Sequence, residues 1–171
     1  KLCEHQSPIM DDIKSCQVFW VGLSAKKTTF GDEKPLSPTT NSGKLICNIE
    51  DRCMEVSTYK TNLVKCAPLD EEMKLRYPNK KEMDICFPNL KREIKDLKPR
   101  IVFLLGDKVT KAISRNFEFS FEPRSGFNYN YKIHNGAYFV PIHHPSYIHI
   151  YKRKQMEDYV LNVEKIISKL L

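Results

Sequence analysis

The pattern of apolar and polar positions predicts four strands that alternate with helices along the chain. Four apolar runs are rich in β-branched and aromatic residues, which is typical of strands buried on both faces. These runs cover residues 17–23, 57–64, 100–105 and 137–142. Because strands alternating with helices form parallel sheets covered on both sides, we expect a three-layer α/β/α fold around a mostly parallel four-stranded sheet.

Apolar residues at helical spacing predict the layers that cover this sheet. In residues 81–97 they stand alternately four and three positions apart, which predicts an amphipathic helix with a kink at Pro88. The other expected helices cover residues 43–54, 107–115 and 155–171. Between these elements we expect long loops at 24–42 and 67–80 and an irregular hairpin at 117–138.

Length and composition favour an ordinary globular protein. The 171 residues are 41% hydrophobic and 29% charged, and we expect them to form one domain over residues 1–171. No apolar run approaches the roughly 18 residues of a membrane span. The first residues include Glu4, Asp11 and Asp12 and do not resemble a secretory signal. We therefore expect a soluble protein of the cytoplasm.

The charge of the chain gives a weak indication of a polyanionic partner. The net charge is +7 and the pI is about 9.0. Lys26 and Lys27 follow the first apolar run, and residues 151–154 (YKRK) follow a pair of histidines. Basic side chains at these places are what a phosphate-binding surface requires. A solvated charged face remains the alternative.

The cysteines and histidines do not form the pattern of a metal site. The six cysteines include no C-x-x-C pair, and most stand in apolar surroundings, where we expect small buried side chains. A zinc site built from His143, His144 and His149 is a competing idea, which the lack of a further ligand cluster disfavours. We expect no bound metal and no disulfide framework.

Four motifs in order resemble those of the uracil-DNA glycosylase superfamily. They are residues 22–26 (GLSAK), 61–68 (TNLVKCAP), 99–106 (PRIVFLLG) and 144–147 (HPSY). The combination of TNLVKCAP with HPSY is the specific part, and the similarity extends over the chain from Gln17 onward. The resemblance implies an enzyme that extrudes a base from DNA into a pocket.

The resemblance gives Asn62 and His144 the central roles. The Asn62 amide offers one donor and one acceptor, so it complements the edge of uracil and, rotated by half a turn, that of cytosine. His144 would donate an N–H to the O2 oxygen of the departing base, where negative charge develops. The alternative for Asn62 is simply to cap the turn after its strand, and His143 is expected to pack or to face DNA.

The chain departs from the family pattern in two places. The most similar branch has a glutamate after the first glycine that activates water, but here that position is Leu23. Asp32 and Glu33 are our candidates for a carboxylate, although ordinary exposed roles stay open for both. The iron–sulfur branch has paired N-terminal cysteines, whereas Cys3 stands here with Gln6. We therefore expect no iron–sulfur cluster and no other cofactor.

The residues of the expected pocket suggest a broader substrate range than uracil. Leu36 takes the place of the family's aromatic residue that stacks on the flipped base. Two other residues of the expected pocket, Ser24 and Ala25, are small. A roomier pocket would admit a modified pyrimidine, such as a modified cytosine of phage DNA. The expected pocket residues are Gly22, Leu23, Ser24, Ala25, Leu36 and Asn62.

The residues after His144 are expected to form a loop that penetrates DNA. Apolar side chains would wedge between base steps while basic ones hold phosphates, although a core segment entering the last helix is the alternative. The expected DNA-binding residues are Lys26, Lys27, Ser146, Tyr147, Ile148, Ile150, Tyr151, Lys152, Arg153 and Lys154.

The sequence therefore predicts a monomeric, monofunctional DNA N-glycosylase that hydrolyses the bond between a pyrimidine and its sugar. The alternative is a module of the same fold that binds uracil or modified DNA without cutting it, since Leu23 replaces the glutamate. Whether the setting is repair or antiviral defence stays open.

Overall fold

The computed structural model describes residues 7–12, 15–28 and 31–171, except for the side chains of residues 27–28 and 31–33. The elements in chain order are β1 (Val18–Ser24), β2 (Lys26–Thr28), β3 (Gly31–Glu33), α1 (Asn41–Arg52), β4 (Thr58–Val64), α2 (Lys80–Leu97), β5 (Ile101–Leu105), α3 (Asp107–Phe117), β6 (Lys132–His134), β7 (Ala137–Ile142), α4 (Pro145–Tyr151) and α5 (Met156–Leu170). Within these described residues, no helix combines the length and the apolar character that crossing a membrane requires.

The central sheet has five strands in the order β4-β1-β5-β7-β6. The four predicted strands are β1, β4, β5 and β7, and neighbouring pairs among them run parallel. The expected α/β fold is confirmed, with a fifth strand in addition. This strand, β6, pairs antiparallel with β7 through a turn at Asn135 and Gly136, whose φ angles are 49° and 80°. Such positive angles suit the tight turns that join antiparallel strands.

Helices cover both faces of the sheet and bury two apolar layers. On one face, α1, α4 and α5 pack over Trp20, which stacks on Phe103 with ring centroids 4.5 Å apart. On the other face, α2 and α3 cover Phe19 and Val21. Successive side chains of a strand point to opposite faces of the sheet, so a continuously apolar strand contributes side chains to both apolar layers. The predicted helix at 81–97 is α2, which begins one residue earlier and contains Pro88.

The segment before α1 contains more structure than a loop. Residues 24–42 include a short antiparallel hairpin formed by β2 and β3. The helix α1 begins at Asn41, two residues earlier than expected, because the Thr40 hydroxyl accepts a hydrogen bond from the Gly43 N–H at 3.0 Å. A threonine at this position satisfies a backbone donor that the first turn leaves free. The earlier start brings Ser42 into the helix.

The segment after His144 is a helix and not the expected loop. Pro145 opens α4, and the His144 side chain caps it by accepting a hydrogen bond from the Ser146 N–H at 3.1 Å. Proline is well suited to a first helical position, since its missing N–H would have no partner there. Helical geometry turns Ile148 into the core, where it is 0% exposed. The expectation that Ile148 contacts DNA is therefore wrong.

Candidate active site

A cavity of about 710 Å³ opens at the carboxyl ends of the parallel strands. Its walls come from the ends of β1, β4 and β5, the segment before α1, residues 75–77, the start of α3, and α4 with the preceding His144. This edge of an open α/β sheet is where ligands bind, because loops and helix starts converge there. The cavity joins all four motif segments, 22–26, 61–68, 99–106 and 144–147.

Asn62 lies on the cavity wall beside Gly22. The two residues are paired in the register of β4 and β1. A Cβ atom at position 22 would collide with Oδ1 of Asn62, so the close approach of this amide requires glycine. Asn62 is only 5% exposed, and no described residue forms a hydrogen bond with its amide. The amide faces the cavity, and its donor and acceptor are therefore available to a ligand.

His144 presents a neutral imidazole to the same cavity. Its Nδ1 accepts a hydrogen bond from the Ser146 N–H, and the Ser146 Oγ lies 2.7 Å away. Burial, together with the positive charge of Lys26, lowers the pKa of His144 to about 4. The imidazole is therefore uncharged at neutral pH, and its one proton resides on Nε2 because Nδ1 is an acceptor.

Gly106 makes room for this imidazole at the end of β5. Its φ of +87° is unfavourable for other residues, and a Cβ built there would lie 3.1 Å from the Cβ of His144. The two residues are held together by the parallel pairing of β5 with β7, and the Gly106 N–H donates to the Ile142 carbonyl at 2.9 Å. Gly106, the last residue of the PRIVFLLG motif, thus leaves room for His144, the first residue of the HPSY motif.

Leu36 contributes an apolar wall in an unusual backbone conformation. Its φ is +52°, in the left-handed region that leucine rarely adopts. The start of α1 packs directly against it, since a Cβ at Gly43 would overlap the backbone of Leu36 and Ser37. This close packing holds the strained residue in place, and strain of this kind gathers at functional sites.

The cavity includes most of the expected pocket residues that the structure describes. Gly22, Leu23, Ser24, Leu36 and Asn62 all lie on its wall. Ala25 does not, so that expectation is wrong. Its N–H donates to the Val64 carbonyl at 3.1 Å and its side chain is 1% exposed, because the chain there continues alongside β4 and turns the methyl group inward. The backbones of Asp32 and Glu33 belong to β3, but their side chains lie outside the described residues.

An exposed apolar edge of α4 borders the cavity. Tyr147, Ile150 and Tyr151 line it and are exposed. The ring of Tyr147 stacks on His143, with centroids 5.5 Å apart, and contacts the ring of Tyr151. Lys26 and Ser146 also line the cavity, while the Lys27 side chain lies outside the described residues. Three exposed basic residues follow the helix: Lys152, Arg153 and Lys154.

Several polar residues of the wall were not among the predicted site residues, and Ser42 and Asp107 are two of them. Ser42 lies in the first turn of α1 and is 7% exposed. Among the described residues, Asp107 is the one carboxylate on the wall, and it forms an ion pair with Arg124. Its position directly after Gly106 puts it at the end of a predicted strand, but nothing in the local sequence shows that its side chain reaches the cavity.

The described residues do not fit a metal ion or an iron–sulfur cluster. They include no group of three His, Cys, Asp or Glu side chains placed to hold a metal. The Cys86 sulfur accepts a hydrogen bond from the Lys65 N–H at 3.5 Å, and His143 Nδ1 lies 2.8 Å from the Tyr129 hydroxyl. Cys3 and Gln6 lie outside the described residues.

Comparison with known proteins agrees with this geometry. A model of the uracil DNA glycosylase superfamily matches residues 15–167. A similar curated protein is a type-4 uracil-DNA glycosylase of Saccharolobus solfataricus, with 28% identity over 137 residues. The match covers 74% of this chain and 61% of that protein, so the chain spans less than two thirds of the relative's length. The chain belongs to the uracil DNA glycosylase superfamily.

Proposed function

We propose that this chain is a monofunctional DNA N-glycosylase that releases uracil or a modified pyrimidine and leaves an abasic site. The observation that carries the proposal is the convergence of two groups on one cavity. These are the amide of Asn62, which has no hydrogen-bond partner among the described residues, and the neutral imidazole of His144 with its proton on Nε2. We further propose that residues 1–171 act as one domain, as a monomer, on DNA in the cytoplasm.

The two groups have complementary tasks in breaking a glycosidic bond. The base must leave the duplex before an enzyme can reach the bond, and an amide can then pair with its Watson–Crick edge. As the bond breaks, the base carries away the electron pair and negative charge gathers on its O2. A fixed N–H donor at that oxygen lowers the barrier, and the neutral imidazole supplies one through its Nε2–H.

Water must add to the sugar carbon once the base departs, and a carboxylate would orient it and stabilise the developing positive charge. Asp32 and Glu33 remain our candidates because their strand lies in the segment between β1 and α1, which supplies one wall of the cavity. Asp107 is a rival, since it is on the wall and is ion-paired to Arg124.

The surface beside the cavity supports DNA as the partner. The exposed edge of α4 offers Tyr147, Ile150 and Tyr151 as wedges, and the basic residues that follow offer contacts to phosphates. The wedge and the cavity share one border, so a base displaced by the wedge would enter the cavity.

The size of the cavity and the nature of Leu36 support a modified pyrimidine as substrate. A volume of about 710 Å³ lies within the range of sites for drug-sized ligands and exceeds what a bare pyrimidine ring needs. Leu36 would cover the ring of the bound pyrimidine with an aliphatic side chain in place of an aromatic one. It would therefore stack on the base more weakly and leave more space beside it.

Treatment of oligonucleotides with the protein and then with alkali tests the function. We expect strand breaks at uracil, and mass spectrometry of uracil-containing, hydroxymethylated and glucosylated DNA should identify every base released. The alternative, a binding module, is favoured by Leu23 at the family's glutamate position. Tight binding to the same DNA without breaks or released base would establish the alternative and refute the glycosylase.

A set of isosteric variants should identify the carboxylate. We expect the pair of changes Asp32→Asn and Glu33→Gln to lower the single-turnover rate about 10²-fold, the usual contribution of a general base. Asp107→Asn serves as the comparison. If Asp107→Asn loses activity while the Asp32→Asn and Glu33→Gln pair stays active, Asp107 and not a β3 carboxylate orients the water molecule.

A further inference from the structure

Ser42 is a buried polar residue of the cavity for which the roles above have no use. It is 7% exposed, lines the cavity, and forms no side-chain hydrogen bond with any part of the chain that the structure describes. Serine at the start of a helix commonly caps it, but here Thr40 already accepts from the Gly43 N–H. The hydroxyl of Ser42 is therefore available to a ligand.

Ser42 and Asn62 lie at the same end of the same sheet face. Glu50, near the end of α1, accepts from Trp20 Nε1 at 3.0 Å and contacts Lys60 Nζ at 2.6 Å, so α1 covers the face to which Lys60 points. Asn62 is two residues further along β4 and points to that face as well. Since α1 runs back over the strands, its first turn with Ser42 lies towards their carboxyl ends, where Asn62 lines the cavity.

Neither the Ser42 hydroxyl nor the Asn62 amide is restricted to one arrangement of hydrogen-bond donor and acceptor. A serine hydroxyl both donates and accepts, and it rotates to suit its partner. The Asn62 amide has no partner among the described residues to hold its orientation, so a half turn exchanges its donor and acceptor. Uracil offers an N–H at ring position 3 and an oxygen at position 4, whereas cytosine offers a bare nitrogen and an amino group.

We propose that Ser42 is a second base-reading residue beside Asn62 and that the pair accepts pyrimidines with either an oxygen or an amino group at ring position 4. This inference rests on the proposed function and deepens it. The cavity would then hold cytosine-type bases as well as uracil-type bases. Selectivity would come from the ease of base extrusion and from bond cleavage, and not from the pattern of donors and acceptors.

Binding to DNA by the His144→Ala variant tests this inference without cleavage. The probes are duplexes with one uracil, one cytosine or one tetrahydrofuran abasic analogue, each placed opposite a second abasic analogue so that no base pair holds the target. We expect the affinities for the uracil and cytosine duplexes to differ by less than about tenfold. Both duplexes should bind more tightly than the duplex with the abasic analogue at the target position, which serves as the blank. Adding Ser42→Ala to the His144→Ala variant should weaken the affinity for both base-containing duplexes by about three- to tenfold, as expected for one neutral hydrogen bond.

The neighbouring change Asn41→Ala is the matched control. Asn41 is the exposed first residue of α1 and does not line the cavity, so its loss should leave both affinities unchanged. Thermal melting should show that both variants keep the fold. An unaltered affinity for Ser42→Ala, a loss confined to one base, or a preference for uracil above about tenfold would overturn the inference. Binding of the uracil duplex no tighter than the blank would instead contradict the proposed function itself.

Discussion

Replacing His144 with alanine is expected to slow base release by about 10²- to 10³-fold, the usual effect of removing one donor from a developing oxyanion. The Nε2–H and the cap that the imidazole gives to α4 would both be lost, while the exposed side chains of α4 would remain to contact DNA. Because the pKa of His144 is about 4, the imidazole stays neutral from pH 8 to about pH 5.5. We therefore expect His144 to cause no fall in rate over that range. Single-turnover assays on a uracil oligonucleotide measure both effects.

His149→Ala is a suitable control for this change. His149 lies on α4, one turn from the start of the helix, but does not line the cavity. We expect this variant to retain the wild-type rate. An active His144→Ala variant, or equal losses in the two variants, would show that the imidazole of His144 does not stabilise the leaving base.

Replacing Gly22 with alanine is expected to be nearly as damaging as removing the Asn62 amide. A Cβ at position 22 would take the space of Oδ1 of Asn62, so the amide would have to leave its place on the wall. Sites that lose an intended hydrogen-bonding group typically lose several orders of magnitude in specificity, and we expect each single variant to be slower by about 10²-fold or more. Cleavage rates of Gly22→Ala and Asn62→Ala on the same oligonucleotide measure this.

The double variant decides whether Gly22 acts through Asn62. If it does, Gly22→Ala should add little to Asn62→Ala, because the amide that it displaces is already absent. Losses that multiply would mean that Gly22 has a separate role. Gly126→Ala is the control for a glycine outside the cavity: its φ of +57° makes alanine cost some stability, but nothing lies within 4 Å of a Cβ there, so the cleavage rate should stay unchanged. Melting temperatures of all four variants separate loss of activity from loss of fold.

The main architecture was predictable because it depends on patterns within single elements. The strands are uninterrupted apolar runs, and α2 keeps its alternating stripe of apolar positions from Met83 to Leu97. Strand ends were therefore located closely enough to place Asn62 and His144 at the same sheet edge. The family motifs in the same places pointed to the same chemistry.

Short elements escaped prediction because their patterns are brief. The helix α4 has seven residues, too few for a clear apolar stripe, and its apolar residues appeared equally suited to a wedge. The distinction between Ile148, which enters the core, and Ile150, which stays exposed, arises only from helical geometry. Pro145 was the local signal for the helix start.

Cavity residues that depend on tertiary contacts were also not predictable. Ser42 is enclosed because α1 starts early under the Thr40 cap and packs over the sheet. Asp107 reaches the wall because β5 delivers Gly106 next to His144, and its partner Arg124 comes from a distant segment. Neither relation is visible in local spacing or residue type.

The capping of α4 by His144 couples the position of the imidazole to the position of the helix. In the proposed mechanism, the imidazole that would face the departing base and the rings that would part the duplex belong to one short helix and its cap, so they share a single position relative to the sheet. Displacement of α4 by incoming DNA would shift the Nε2–H donor as well. An isolated nucleoside has no duplex to press on this helix, so under the proposed function we expect polymeric DNA to be distinguished from free nucleosides before any chemistry begins.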